Sequence, residues 1–193
     1  MRASSFAARD AQTDSSTVER VGWWERRRQR RRLAGQDRLS AHIAELMQIR
    51  ELVGAAREVV AAGWVQDAWY VRPDEHGRDH SIGYLRGNLG GGPVARACLV
   101  GAILHANGSA ATADTQVVQR TFDLAWHTLH RSDREPVRWC PAPPIRAQQL
   151  RDLVSWNDRP GRTGAEVEAL LIAAEQTADR EVARSRQQLT ALV

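Results

Sequence analysis

Apolar residues recur at intervals of three, four and seven positions between residues 39 and 64. They are Leu39, Ile43, Leu46, Val53, Val60 and Trp64. This spacing places all six on one face of an α-helix, and such a face must be buried against other elements. Ser40 is a suitable N-cap and Gly63 a suitable C-terminal residue. The pattern therefore predicts a long helix that begins near Leu39 and ends at Gly63.

The rest of the chain predicts one small β-hairpin and further helices. Two β-prone runs, Trp69–Val71 and Ser81–Leu85, flank a polar turn. Helical patterns cover residues 94–106, 112–130, 145–156 and a last segment that begins with the capping-box sequence Thr163–Glu166. We expect a mainly α single domain of four to five helices with one small β-hairpin over residues 39–180. A fraying C-terminal helix or tail is expected over 181–193.

The positive charge of the chain is concentrated near its N-terminus. Residues 1–38 contain ten arginines and five acidic residues, whereas residues 39–193 contain 17 arginines and 18 acidic residues. The first residues are rich in Ala, Ser and Asp and offer little to bury, which predicts a flexible, disordered Arg-rich arm over 1–38. The sequence pI of about 10.0 thus describes the arm, while the domain is close to neutral.

The arm contains six arginines within seven residues, preceded by two tryptophans. The candidate nucleic-acid-binding residues are Trp23, Trp24, Arg26, Arg27, Arg28, Arg30, Arg31 and Arg32. Clustered arginines attract polyanions, and tryptophan stacks on bases or lies at membrane interfaces. The alternative interpretation is a solvated charge run without a partner.

Several classes of function are excluded or disfavoured by composition. All 27 basic residues are arginines, which excludes Schiff-base chemistry and sites that need a phosphate-binding lysine. No signal peptide or membrane span is visible, so we expect a cytoplasmic protein whose two cysteines are free thiols. No cofactor is expected. The oligomeric state is left open.

Cys98 is the sharpest candidate for catalysis. It lies early in a predicted helix, where the helix dipole lowers the pKa of a thiol. Its base would have to come from another helix, with His127 or His130 as the candidates, and Asn157 would orient that base, as in a Cys-His-Asn arrangement. The alternative is that Cys98 is a small buried residue and that Asn157 and Asp158 form a turn between two helices.

Histidines and acids offer two weak ligand sets. His76 and His80 lie in an acidic loop, and His127 and His130 are spaced as a pair on a helix. Neither set brings a third ligand at a recognisable spacing, so no metal site is predicted.

Three short blocks, at residues 63–68, 98–103 and 156–163, resemble an uncharacterised family of actinobacterial and actinophage proteins. Their sequences are GWVQDA, CLVGAI and WNDRPGRT. The resemblance covers roughly residues 50–175 and leaves the Arg-rich arm outside. It implies a helical domain in a cytosolic or phage context and no known activity. The loop over 73–93 is longer here than the family pattern.

These observations favour a non-enzymatic accessory or regulatory protein whose arm contacts nucleic acid or another polyanion. One alternative is a Cys98-dependent enzyme of the acyl-transfer or amide-hydrolysis class. The other is a protein–protein interaction module with an incidental arm.

Overall fold

The computed structural model describes residues 11–84, 92–108, 113–131, 135–140 and 142–192, with side chains from Gly22 onward. Over these residues the chain forms five α-helices and a small antiparallel sheet. The predicted fold class, mainly α with four to five helices and a small β element, is confirmed. Residues 1–10 of the predicted arm and most of the glycine-rich stretch 87–92 lie outside the described residues.

The first helix, α1, runs from Ala11 to Ala62 and comprises 52 residues. At 1.5 Å per residue it is about 78 Å long. It does not begin near Leu39, because residues 22–38 contain no proline and consist largely of Arg, Gln, Leu and Ala, which have high helix propensity. The Arg-rich run is therefore helical in this structure. A division of the chain into arm and domain at residue 38 stays a prediction.

The last helix, α5, runs from Gly164 to Ala191 and packs antiparallel against α1. Ion pairs mark the register: Arg50 Nε lies 2.7 Å from Asp179 Oδ1, and Arg57 Nε lies 3.4 Å from Glu175 Oε2. Between the helices the core residues Leu46, Ile49, Val53, Leu171, Ala174 and Ala178 are fully buried. The predicted capping box is confirmed, since Thr163 and Glu166 bond each other's backbone N–H groups.

Three shorter helices complete the core. They are α2 (Leu99–Ala106), α3 (Gln116–His130) and α4 (Pro143–Asn157). The apolar helix expected from residue 94 begins only at Leu99, because Arg96 and Ala97 pair with a strand instead. The first six residues of α2 are all buried, so this helix lies at the centre of the domain.

The small sheet contains the predicted hairpin and one strand that was not predicted. Strand β1 (Tyr70–Pro73) lies between β2 (Asp79–Ile82) and β3 (Arg96–Ala97), and both pairings are antiparallel. Asp74 holds the hairpin turn, since its Oδ1 accepts hydrogen bonds of 2.8 Å from two backbone N–H groups. The sheet covers the N-terminal end of α2, where Cys98 N–H donates to the carbonyl oxygen of Trp69.

The contact between β1 and α2 requires a residue without a side chain at position 101. A Cβ atom on Gly101 would lie 2.1 Å from the carbonyl oxygen of Trp69, whereas one on Gly35 in α1 would meet only Leu192 Cδ1 at 3.8 Å. We expect Gly35→Ala to raise the free energy of unfolding by about 0.5–1 kcal/mol through helix propensity. Gly101→Ala should lower it by about 1–3 kcal/mol through overpacking.

Urea unfolding followed by circular dichroism measures both changes. Equal stabilisation by the two substitutions would contradict the close packing of α2 against β1.

Candidate functional site

The Arg-rich run forms part of the surface of α1, and we call residues 22–32 the basic segment. Trp23 and Trp24 are 42% and 54% exposed, and their rings meet edge to face with centroids 4.7 Å apart. The guanidinium of Arg27 lies 5.2 Å and 5.8 Å from the two ring centroids, in cation–π contact. These contacts order one arginine and leave both indoles accessible to a partner.

The described ion pairs between arginine and carboxylate all lie on the helical body, outside the basic segment. On the body, Arg120 pairs with Glu45 and Arg146 pairs with the buried Asp123. Within the part of the chain that the structure describes, no carboxylate pairs with Arg26, Arg27, Arg28, Arg30 or Arg31. Four of these five side chains are exposed, and Arg27 is half-buried. Their charge is thus available to an external anion.

The basic segment continues beyond the end of α5. Arg32 Nε donates a hydrogen bond to the carbonyl oxygen of Leu192, and Gln36 Nε2 donates to the same atom at 3.4 Å. Since α5 ends at Ala191, the residues of α1 before this contact have no α5 residue opposite them. The junction at Leu192 therefore marks where α1 leaves the helix pair.

The positions of the arginines suit a groove with phosphates on both walls. An α-helix turns by about 100° per residue, so arginines at positions 26, 27, 28, 30, 31 and 32 surround about two thirds of its circumference. A helix with side chains is about 10–12 Å across, close to the width of about 12 Å of the DNA major groove. Guanidinium groups bind phosphate with two parallel hydrogen bonds.

Cys98 acts as the N-cap of α2. Its sulfur accepts a hydrogen bond of 3.2 Å from Gly101 N–H, and its side chain is fully buried. Burial, together with the neighbouring Asp158 carboxylate, raises the pKa of the thiol to about 12, although the hydrogen bond from Gly101 N–H opposes this shift. The thiol is therefore protonated at neutral pH, whereas the nucleophilic form is the thiolate. The geometry supports a structural role, and the catalytic role stays a prediction.

Asn157 connects three segments through its carboxamide, which is fully buried. Its Oδ1 accepts hydrogen bonds from Trp64 Nε1 at 2.9 Å and from Leu99 N–H at 3.0 Å. Its Nδ2 donates to Val65 O at 3.2 Å and to Asp158 Oδ1 at 2.8 Å. All four hydrogen-bonding positions are used, so the side chain joins the end of α4 to the segment after α1 and to the start of α2.

The neighbouring Asp158 extends this network, which we call the Asn157 clamp. Its Oδ1 also accepts from Asp67 N–H at 3.0 Å, and its Oδ2 accepts from the Tyr84 hydroxyl at 2.7 Å. Asp67 has a positive φ of 58°, an uncommon conformation that directs its N–H toward the carboxylate. Burial raises the pKa of the Tyr84 hydroxyl, and the adjacent Cys98 and Asp158 raise it further. The polar groups of the clamp are thus hydrogen-bonded to one another, which is typical of a structural network.

His127 does not lie with Cys98. It is on α3, where its imidazole lies near the backbone of Glu135 and lines a cavity against α5. Cys98 instead faces Tyr84 and Asp158. No contact between the described residues joins His127 to Cys98, and burial lowers the pKa of His127. The predicted Cys-His-Asn arrangement therefore has two members near each other, Cys98 and Asn157, and its base elsewhere.

Residues of the two candidate ligand sets, around His76 and at His130, make contacts that do not involve a metal. Asp74 and Asp79, which flank His76 in the hairpin, pair with arginines. His130 stacks on Trp126 with ring centroids 4.6 Å apart. Among the described residues, no group of three or more His, Cys, Asp or Glu is arranged to hold a metal ion.

Sequence reasoning missed Tyr84, Trp64 and Asp67 as members of the clamp. Trp64 and Asn157 belong to two of the three sequence blocks that carry the family resemblance, and this was a usable signal that they meet. Nothing in the sequence indicated Tyr84, which reaches Asp158 from outside these blocks.

Residues 45–177 match the sequence model of a family described as a family of unknown function (DUF6197), and the chain belongs to this family. The expected membership of an uncharacterised domain family is thus confirmed, whereas an actinobacterial or phage origin stays a prediction. No curated protein and no solved structure matches the chain. The matched range contains the Asn157 clamp and leaves out the basic segment. Among the described residues, the helices include none long and apolar enough to cross a membrane.

An isosteric substitution tests the donor half of the Asn157 clamp. Asn157→Asp keeps Oδ1 for Trp64 and Leu99 but turns an oxygen toward two acceptors, Val65 O and Asp158 Oδ1. We expect the free energy of unfolding to fall by about 3 kcal/mol or more, because a buried carboxylate then faces unpaired acceptors.

Tyr84→Phe is the matched control, since it removes one hydroxyl from the same network and should cost about 1 kcal/mol. Urea titration measures both. An Asn157→Asp protein as stable as Tyr84→Phe would show that the clamp does not depend on the amide.

The buried thiol makes a second prediction. In a Cys140→Ser background, Cys98 should stay unmodified by an aromatic disulfide reagent at mildly alkaline pH, because its sulfur is buried and protonated. Labelling should become rapid only when urea unfolds the protein. Rapid labelling of the folded chain would favour the Cys98-dependent enzyme instead.

Proposed function

We propose that this member of the DUF6197 family is a non-enzymatic accessory or regulatory protein that binds nucleic acid through the basic segment of α1. One observation carries the proposal: five arginines without described carboxylate partners, Arg26, Arg27, Arg28, Arg30 and Arg31, lie on a helix that continues past the end of its partner helix. Arginine-rich helices that enter the major groove bind duplexes with this kind of surface.

The distribution of charge supports the same segment as the binding element. Outside residues 1–38 the acidic residues outnumber the arginines by one, so the helical body has no excess of positive charge. A polyanion is attracted where positive charge is concentrated, which in the described residues is the basic segment.

Exposed apolar side chains also concentrate there. Among the side chains that the structure describes, the exposed large hydrophobic residues are Trp23, Trp24, Leu33, Met47, Ile145 and Ile172, and the first three lie within or next to the basic segment. Tryptophan next to arginine supplies stacking on bases together with phosphate contacts, so the segment combines both means of binding nucleic acid.

The two alternatives differ in what supports them. The Cys98-dependent enzyme needs an accessible thiolate with a histidine nearby, and the buried, protonated thiol and the separate position of His127 do not support it. A protein-interaction module with an incidental arm predicts a partner whose binding does not depend on the arginines.

The decisive experiment compares two quadruple variants of the full chain by fluorescence anisotropy with random-sequence duplex and single-stranded DNA. The test variant is Arg26→Gln, Arg28→Gln, Arg30→Gln and Arg31→Gln. The matched control neutralises four exposed arginines elsewhere, Arg138, Arg151, Arg159 and Arg186, and so removes the same charge.

We expect the control to retain duplex binding and the test variant to lose most of it. The slope of log affinity against log salt should weaken by about 3 to 4 in the test variant, because each phosphate contact contributes about 0.9. Equal losses in both variants would mean that only net charge matters. Duplex binding retained by the test variant would overturn the proposal. So would tighter binding of the unmodified chain to anionic lipid vesicles than to DNA.

A further inference from the structure

A cavity of about 130 Å³ lies between α3 and α5, on residues that belong neither to the basic segment nor to the Asn157 clamp. Its polar lining consists of His127, Thr128, Arg131, Gln176, Thr177 and Arg180. His127 and Thr128 lie in the last turn of α3, Arg131 follows the end of this helix, and the other three residues lie on α5. Both charged side chains of this lining are arginines, and none of the lining residues is acidic.

His127 presents an unsatisfied acceptor to this cavity. The side chain is 3% exposed, and its Nε2 is buried without a hydrogen-bond partner among the described residues. The backbone of Glu135 lies beside the other side of the ring, which favours the tautomer with the proton on Nδ1 and leaves Nε2 as the acceptor. Burial lowers the pKa of the ring, so the ring is neutral and Nε2 carries a lone pair.

Arg180 lines the same cavity and has an unsatisfied donor. Its Nη2 donates to Thr177 Oγ1 at 2.9 Å, and that hydroxyl in turn donates to Ala173 O at 2.8 Å. These bonds fix the guanidinium against α5, while its Nε–H is buried without a described partner. Buried polar atoms in native structures are almost always paired, so an acceptor and a donor left open on the lining of one cavity favour a polar occupant that bonds both.

We infer that this cavity binds a small oxyanion that carries one proton, of the hydrogen-phosphate type. One O–H of such an ion donates to His127 Nε2, and its other oxygens accept from Arg180 Nε and from the guanidinium of Arg131. The volume corresponds to about four water molecules at about 30 Å³ each, which suits a tetrahedral ion with four oxygens. The site is independent of nucleic-acid binding by the basic segment.

Two carboxylates lie close enough to influence His127. Glu181 on α5 pairs with Arg184 and accepts a hydrogen bond of 3.2 Å from Val137 N–H, so its charge is already neutralised. Glu135 is exposed and contacts the ring through its backbone. Arg131 and Arg180 therefore remain as the charges that balance the dianion.

The proton distinguishes this site from a simple cationic pocket. Hydrogen phosphate can donate to a neutral imidazole, whereas sulfate at neutral pH has no proton to donate and binds only if the ring is protonated. We therefore expect inorganic phosphate to bind at least about tenfold more tightly than sulfate above neutral pH, an affinity difference that one lost buried hydrogen bond can supply.

The test uses the full chain with the basic segment neutralised as above, so that phosphate bound to the arginines of α1 does not contribute. Inorganic phosphate, sulfate and a short single-stranded oligonucleotide are titrated separately, and the imidazole Cε1–H resonance of His127 is followed by NMR together with calorimetry. His127→Gln assigns the resonance. Of the three titrants, we expect only inorganic phosphate to shift the His127 resonance in a saturable manner.

Arg131→Gln and Arg180→Gln should each weaken phosphate binding at least about tenfold, while the matched control Arg151→Gln on α4 should leave it unchanged. Arg131 is exposed, so its substitution does not disturb the core. The inference is overturned if phosphate causes no saturable shift, if sulfate binds as tightly, or if only the oligonucleotide shifts the resonance. Success or failure here is separate from DNA binding by the unmodified chain.

Discussion

The position of the central helix depends on one buried carboxamide. Without partners, the side chain of Asn157 would be costly to bury, and its partners come from the segment after α1, the start of α2 and the adjacent Asp158. Because Oδ1 accepts from Leu99 N–H, the first turn of α2 is held at the point where α1 and α4 end. The apolar core around α2 is then packed by helices whose ends are already joined.

Features that depend on a few neighbouring residues were predictable from the sequence. The β-hairpin follows from two β-prone runs around a polar turn, and the start of α5 follows from Thr163 and Glu166, which bond each other. The start of α2 was not predictable in this way. Arg96 and Ala97 take an extended conformation because they pair with Tyr70 and Val71, a contact set by tertiary structure.

The candidate sites were predictable in composition and less so in arrangement. The arginine cluster was evident, but its helical form was missed because apolar periodicity carries no information in a stretch where nearly every residue is charged. Helix propensity, which Arg and Gln share with Leu, was the better guide there. His127 was paired with Cys98 on chemical type alone, whereas the fold places it between α3 and α5. Residue type suggests a chemistry, and only packing decides which groups meet.

The unbroken course of α1 has a mechanical consequence. No proline interrupts the chain between Arg28 and Ile49, and Ile49 is fully buried in the core. These residues are separated by about 30 Å along the helix axis, at 1.5 Å per residue. A helix of this kind transmits torque and bending as a stiff rod does, so a partner held at Arg28 would be kept at a set distance and azimuth from the body. The helix would then serve as a strut that fixes orientation as well as a surface that binds.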